Sequence, residues 1–333
     1  MSGRFLALDA GNSKTVALVT DATGAVLGRA RGGRGDIYNA ASPDAAAEAV
    51  IGTAGRALAE AGVAAAQIRA AAFRIAGVDW PEDETWWRER IHSTLPGLQS
   101  VDVANDGVAS LRLGSLDGVG LAITAGTGPA IAARNRDGMQ AWSGWWVFDN
   151  LGGWGLAEES INAVCLAWMG LGEATALVEP MLALFDVPDP RELRHSLTRR
   201  FRTRPADDEL RATRLVLQVA ATGDPVALGL VRRQAAAFAR YGEWVAGQVS
   251  ATPGPGFPIV LNGSVITSEH SSFRDELIAA LLRRFPAASV RVGAAAPLAG
   301  CVLDALALGG VRLTDSLRDR VAQTPQPPGF LGT

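Results

Sequence analysis

Two short segments of this chain nearly repeat one another: Leu8-Asp9-Ala10-Gly11-Asn12-Ser13 and Ile123-Thr124-Ala125-Gly126-Thr127-Gly128. Each begins at the end of an apolar run and sets a glycine among small residues. Each is followed, at a similar distance, by a turn glycine: Gly24 after the first and Gly138 after the second. A strand–hairpin–strand unit repeated so far along the chain predicts a duplicated fold, two similar halves facing each other across a cleft. Length agrees, because 333 residues exceed what one hydrophobic core ordinarily serves.

The apolar runs Phe5–Leu8, Thr15–Thr20 and Val26–Arg31 predict three strands. Alanine-rich Pro43–Gly62 predicts a helix, with Ser42 as cap and Pro43 in the first turn. A strand at Ile68–Arg74, a helix at Pro81–Leu95, a strand at Val101–Ala104 and a short helix at Gly107–Leu113 follow. The series restarts with strands at Leu121–Thr124, Ala130–Arg134 and Met139–Trp142. Helices expected at Leu156–Gly170, Ala174–Phe185, Arg191–Arg200, Asp207–Ala221 and Pro225–Val249 inflate this second copy. A rigid loop, Thr252–Pro258, leads to a strand at Ile259–Leu261, a helix at Phe273–Phe285, a strand at Val290–Val292 and a helix at Leu298–Leu308. The expected fold class is α/β: duplicated βββαβα units around a cleft. The expected domains are 1–117, 118–311 with a helical insertion, and a C-terminal helix and tail over 312–333, with packing back on the first domain left open.

Composition excludes several classes of function. Hydrophobic residues make up 48% and charged ones 20%, enough apolar content for sizeable cores and too much for extended disorder. A net charge of -3 leaves no electrostatic footprint for nucleic acid. No run approaches the ~18 apolar residues of a membrane span, and the opening residues lack the apolar stretch of a signal peptide. The expectation is a soluble, cytoplasmic protein. Cys165 and Cys301 lie far apart without metal-ligand spacing.

Asp9 ends one strand, and Gly11-Asn12-Ser13-Lys14 must turn tightly into the next. Such a hairpin aims backbone N–H groups at a phosphate because no bulky side chain blocks the approach. A strand-end carboxylate beside it suits Mg²⁺. The second hairpin, Gly126-Thr127-Gly128, would complete a clamp on a polyphosphate. Asn105-Asp106-Gly107 ends a strand and opens a helix, so Asp106 reads equally as a helix cap or as a general base at the cleft. Trp142, Trp145, Trp146 and Trp154 crowd one stretch, as a core cluster or as rings that stack on a sugar.

At these residues the chain resembles the BadF/BadG/BcrA/BcrD-type ATPase family and, within it, the N-acetylglucosamine and glucosamine kinases. DAGNSKT and ITAGTGPAIAARNRDG are similar to the family's two phosphate segments, RIAGVDWP to its AGVD-P loop, and VANDGVASLRLGS to its catalytic-aspartate segment. VLNGSVI looks like the adenosine segment, and APLAGCVLDAL like a late helix, with Cys301 in place of an alanine. The matches run in order from Phe5 to about Leu308. The resemblance implies the actin-like (ribonuclease H-like) ATPase fold, with ATP and Mg²⁺ as cofactors. It implies Asp9 at the metal, and Gly11, Asn12, Ser13, Gly126, Thr127, Gly128, Gly263 and Ser264 around the nucleotide; Lys14 is a further nucleotide-side candidate that reads equally as a phosphate contact or as a solvent-facing side chain. Asp106 would be the base.

The substrate-side candidates are Asp36, Asn39, Gly77, Asp106, Trp146 and Asp149, and here the chain departs from the family. Gly35-Asp36 replaces the usual Gly-Asn, and Val147–Gly153 matches LGDEGSG only with Asn150 in place of the glutamate. A shifted register would leave Glu158 or Glu159 as the acid instead. The leading expectation is an ATP-dependent kinase of an amino sugar or related carbohydrate. An ATPase that activates a partner protein and a non-catalytic sugar or nucleotide sensor are the alternatives. Expected partners are a small-molecule sugar, no nucleic acid and no membrane, with a homodimer left open.

Overall fold

The structure is a computed structural model and describes residues 3–201, 204–205, 207–250, 254–293 and 295–331. Its first half runs β1 (Arg4–Ala10), β2 (Thr15–Asp21), β3 (Val26–Gly32), α1 (Pro43–Glu60), β4 (Ile68–Ile75), α2 (Pro81–Thr94) and β5 (Val101–Ala104). A 3₁₀ turn at Asp106–Ser110 passes into α3 (Leu111–Gly114). The second half opens with β6 (Gly120–Ala125), β7 (Pro129–Arg134) and β8 (Gln140–Trp142). Helices α4 (Gly153–Trp168), α5 (Val178–Phe185), α6 (Pro190–Thr198), α7 (Arg211–Ala221) and α8 (Pro225–Gln248) follow. Next come β9 (Pro258–Asn262), α9 (Ser272–Arg284), β10 (Ser289–Val292), α10 (Pro297–Leu308) and α11 (Asp315–Ala322).

The two sheets have the same plan. The first is ordered β3-β2-β1-β4-β5, and the second, read from its β8 edge, β8-β7-β6-β9-β10. In each, the first three strands are antiparallel neighbours and the last two join in parallel. The duplication predicted from the paired glycine segments is present in topology as well as in sequence.

Both faces of each sheet are covered, which is why the central strands read as continuous apolar runs rather than alternating ones. Along β1, Leu6, Leu8 and Ala10 face α1, while Phe5 and Ala7 join the core between the two sheets. Along β6, Leu121, Ile123 and Ala125 face the helices of the second half, and Ala122 faces the shared core. That shared core is filled by crossing elements: Val108 and Leu111 from the turn after β5, and Leu298, Val302 and Leu306 from α10. Helix α10 packs on β1 and β4 of the first sheet, and α3 packs on β6 and β9 of the second. Each half thus lends a helix to the other.

Most expected elements are found within a residue or two; α7, expected from Asp207, starts at Arg211 after a 3₁₀ turn over Asp208–Leu210, and three further boundaries differ for physical reasons. Helix α4 starts at Gly153 rather than Leu156, because the N–H groups of Gly153 and Trp154 donate to Gly126 O (2.8 Å) and Thr127 O (3.0 Å). The stretch expected to open α5 at Ala174 is loop until Val178. There the Asp224 carboxylate takes up Thr175 Oγ1 and the Ala176 N–H. The short helix expected at Gly107–Leu113 is a 3₁₀ turn followed by one α turn. Thr252 and Pro253 of the expected rigid loop lie outside the described residues.

The C-terminal segment lies over the first sheet: Leu317, Val321 and Phe330 share a core cluster with Phe5, Val16 and Leu18. Among the described residues no single helix is long and apolar enough to cross a membrane.

Candidate active site

The two glycine hairpins sit at the same end of their sheets and open into one cavity of about 840 Å³. Asp9, Gly11, Asn12, Ser13 and Lys14 line it from the first half, and Gly126, Thr127 and Gly128 from the second. Gly263 and Ser264, at the end of β9, form a further wall, and Asp106 stands in the cavity with them. Every nucleotide-side candidate from the sequence is therefore brought to one place.

Backbone geometry explains how the hairpins hold their shape. Gly11 N–H donates to Lys14 O (2.9 Å) and Gly126 N–H to Gly128 O (3.1 Å), closing a turn in each hairpin, the second one residue tighter than the first. A Cβ on Gly126 or Gly128 would meet no atom within 4 Å, so the space beside them is open for a ligand. Gly263 differs: its φ is +96°, and a Cβ there would stand 2.3 Å from Ala125 O. Only glycine lets β9 end this close to the second hairpin.

Asp106 is set on a turn wedged between the halves. Gly300 of α10 lies so close that a Cβ would come 1.7 Å from Ala109 O, and a Cβ on Gly107 would stand 3.2 Å from Ala132 Cβ in β7. The helix cap belongs to Asn105, whose Oδ1 accepts from Gly107 N–H at 2.9 Å. The sequence left cap and base both open for Asp106; with Asn105 as the cap, the Asp106 carboxylate faces the cavity. Burial, reinforced by Asp9, Asp79 and Asp36, pushes its pKa up to about 8. Burial likewise raises Asp9 to about 6, against the pull of Lys14. The Lys14 amine is pushed down by burial and held up by Asp9.

Among the described residues no side chain hydrogen-bonds the Asp9 carboxylate, which leaves it available to a hydrated cation. No group of three His, Cys, Asp or Glu side chains forms a cage among those residues. Mg²⁺ does not need one, because it commonly takes one or two carboxylates together with phosphate oxygens and water. The residues present fit such an ion.

Of the substrate-side candidates only Asp106 lines the cavity; Asp36, Asn39, Gly77, Trp146 and Asp149 do not. Asp36 is 4% exposed. Its Oδ1 accepts from Tyr38 N–H (2.8 Å) and its Oδ2 from Asn39 Nδ2 (2.8 Å), so both oxygens serve the loop that carries them. Gly77, with φ +80°, packs on the same carboxylate; a Cβ there would lie 2.5 Å from Asp36 Oδ1. Trp146 is half exposed and meets Trp80 across the cleft, ring centroids 6.1 Å apart. Trp145 is also exposed and stands edge-on to Tyr38 at 5.2 Å, so these two tryptophans are not core residues. Asp149 is tied to α8 by Arg240 (2.8 Å) and Tyr241 Oη (2.8 Å) and does not line the cavity. The acids of the other register are engaged as well, Glu158 with Asn150 and Glu159 with Arg233 and Gln234.

Asp79 and Arg274 were not among the candidates. Asp79 Oδ1 accepts from Asn105 Nδ2 at 2.9 Å, one residue from Asp106. Burial and the neighbouring Asp36 and Asp83 raise Asp79 to about 6. Its signal was present in the AGVD stretch, where the aspartate itself was not singled out. Arg274 lines the cavity from α9 with no signal at all, one arginine among many.

No protein-family model matches the chain, and no curated protein matches it by sequence. Solved structures do. A protein of Chromobacterium violaceum carrying the provisional name N-acetylglucosamine kinase superposes with a TM-score of 0.64 at 20% identity, covering 90% of this chain and 98% of that one. A Porphyromonas gingivalis protein with the same provisional name gives 0.63 at 19%, covering 92% and 99%. A ROK-family glucokinase from Streptomyces griseus, solved with glucose and AMPPNP, gives 0.57 at 18%, covering 91% and 98%. The fold is the actin-like ATPase fold. At these identities the likeness speaks for the fold alone.

Proposed function

We propose that the protein is an ATP-dependent carbohydrate kinase that phosphorylates a hydroxyl of an amino sugar or related carbohydrate. One observation carries the reading: the Asp106 carboxylate shares a single cavity with both glycine hairpins and Asp9. The same fold in the Streptomyces griseus glucokinase, which holds glucose and AMPPNP, supports it.

In this reading the backbone of Gly11–Ser13 and Gly126–Gly128 holds the phosphates of ATP from both sides, and Asp9 orients a hydrated Mg²⁺. The ion would neutralise charge on the β- and γ-phosphates. Asp106 accepts the proton of the acceptor hydroxyl as its oxygen bonds to the γ-phosphorus, the bond to the β-phosphate oxygen breaks, and ADP leaves. Phosphoryl transfer is largely positioning and charge neutralisation, so these parts suffice.

Asp106→Asn tests the assignment. Loss of a general base costs ~10²–10⁴-fold in kcat, while ATP affinity by calorimetry should stay near parental. Near-parental turnover in the variant would remove Asp106 from the chemistry.

A further inference from the structure

We propose that Asn262 is a positioning residue: it ties the turn that carries Asp106 to the wall where the nucleotide seats, so that filling the nucleotide site and aligning the base are one event. The inference rests on the kinase reading and adds to it a residue that the sequence did not mark.

Asn262 ends β9, immediately before Gly263 and Ser264, and lines the cavity with them. It is 2% exposed, so its amide is costly to leave unpartnered. Of the two orientations of that amide, one satisfies every group around it. Nδ2 donates to Gly293 O (3.1 Å) and Ala295 O (3.1 Å), and Oδ1 accepts from Ser110 Oγ (3.0 Å). The other orientation would set Oδ1 against two carbonyls. The loop closes tightly on this amide: Gly293 N–H donates to Leu261 O (2.8 Å), and a Cβ on Gly293 would stand 2.7 Å from the Asn262 side chain.

The groups held by Asn262 come from two further elements. Gly293 and Ala295 belong to the loop from β10 to α10, which lines the same cavity. Ser110 ends the 3₁₀ turn Asp106–Ser110 and is 1% exposed. At its start that turn is capped by Asn105, whose Nδ2 donates to Asp79 of the first half (2.9 Å). At its end it is held by Asn262 of the second half. Asp106 therefore sits on a short bridge with one footing in each half. Val108 and Leu111 bury the bridge in the shared core, but apolar packing is non-directional. The hydrogen bonds at the two ends fix its rotation, and with it the direction of the Asp106 carboxylate. A nucleotide seated on Gly263 and Ser264 restrains the residue next to them, and the bond to Ser110 passes that restraint to the base.

Hydrogen exchange of the Gly107, Val108 and Leu111 amides, with and without saturating AMPPNP and Mg²⁺, tests the link without an acceptor. In the parent the nucleotide should slow these amides by about tenfold, the scale of one secured hydrogen bond. Ser110→Ala removes a single oxygen. It should still bind AMPPNP by calorimetry, and the slowing should be lost. Asn262→Ala removes the other partner of the same bond; it should lose the slowing too and, with the loop freed, bind AMPPNP more weakly. The double variant should lose no more of the slowing than either single one. With a sugar that is turned over, kcat of Ser110→Ala should fall about tenfold while KM for ATP stays near parental. AMPPNP that binds the parent without slowing these amides, or slowing that survives in Ser110→Ala, overturns the positioning role and leaves the kinase standing. Slowing that is lost in Ser110→Ala, in a protein that phosphorylates no sugar, keeps the coupling and sinks the kinase. No binding of AMPPNP to the parent sinks both.

Discussion

Asp106 is buried with Asp9, Asp79 and Asp36 as charged neighbours, and this gives its ionisation a cost that is visible without any substrate. Its folded pKa is raised to about 8 from a reference of 3.8, by burial first and then by Asp9, Asp79 and Asp36. Over that window the folded chain holds a proton that the unfolded chain has released, so stability falls as pH rises through it. Asp9 and Asp79, each raised to about 6, add to the fall over the lower part of the window. The ligand-free protein should therefore melt at a lower temperature at pH 8.5 than at pH 5. Asp106→Asn should melt higher than the parent at pH 8.5, by a margin much larger than at pH 5. Parallel melting curves for parent and variant would show that Asp106 is ordinarily solvated. The pairing of Asn105 as cap with Asp106 at the cavity was not legible in the sequence. Adjacent residues at a strand end compete for both roles, and only the direction of each side chain divides them.

The hairpins show what a sequence can and cannot convey about an element. Their existence was legible because apolar runs meet at glycine, and their equivalence because the two segments read alike. Their surroundings were not. The early start of α4 at Gly153 depends on carbonyls of the second hairpin, so a poor helix former is recruited by a contact distant in sequence. The meeting of Trp80 with Trp146 depends on how two halves close, which no local pattern encodes. Because Gly126 faces open space, the clamp can be tested without breaking the element. Gly126→Val should fold, since its Cβ meets nothing within 4 Å, yet its branched side chain would occupy the phosphate side of the cavity. Calorimetry with AMPPNP and Mg²⁺ should show affinity reduced by at least about tenfold, the scale of one or two lost backbone hydrogen bonds. Equal affinity in parent and variant would remove this hairpin from nucleotide binding.

Across the whole molecule the two halves are joined by crossing helices and by one buried charge cluster. Asp304 of α10 accepts from Arg74 of β4 (2.9 Å) and from Arg112 of α3 (2.6 Å), with Arg134 of β7 at 3.9 Å. Arg74 also donates to Asp102 of β5 at 2.6 Å. The Arg74 side chain is 1% exposed and that of Asp304 4%, so water screens this contact little. A single carboxylate thus holds guanidinium groups from the first sheet, the crossover and the second sheet. Asp304→Asn preserves volume but leaves three cations facing one another, and breaking a buried pair this way costs about 3–5 kcal/mol. The loss should appear as a lower urea midpoint with an unchanged m-value. It should also reach both halves at once, because the released cations belong to both. Single-tryptophan reporters in α2 (Trp87) and α8 (Trp244) should therefore shift together. The exposed pair Arg214–Glu269 supplies the contrast: removing it should change stability by less than about 1 kcal/mol. If Asp304→Asn moved only one reporter, the halves would be energetically independent and α10 no more than a tether. If both move equally, the charge cluster makes two duplicated sheets into one cooperative unit, with the cavity at its seam.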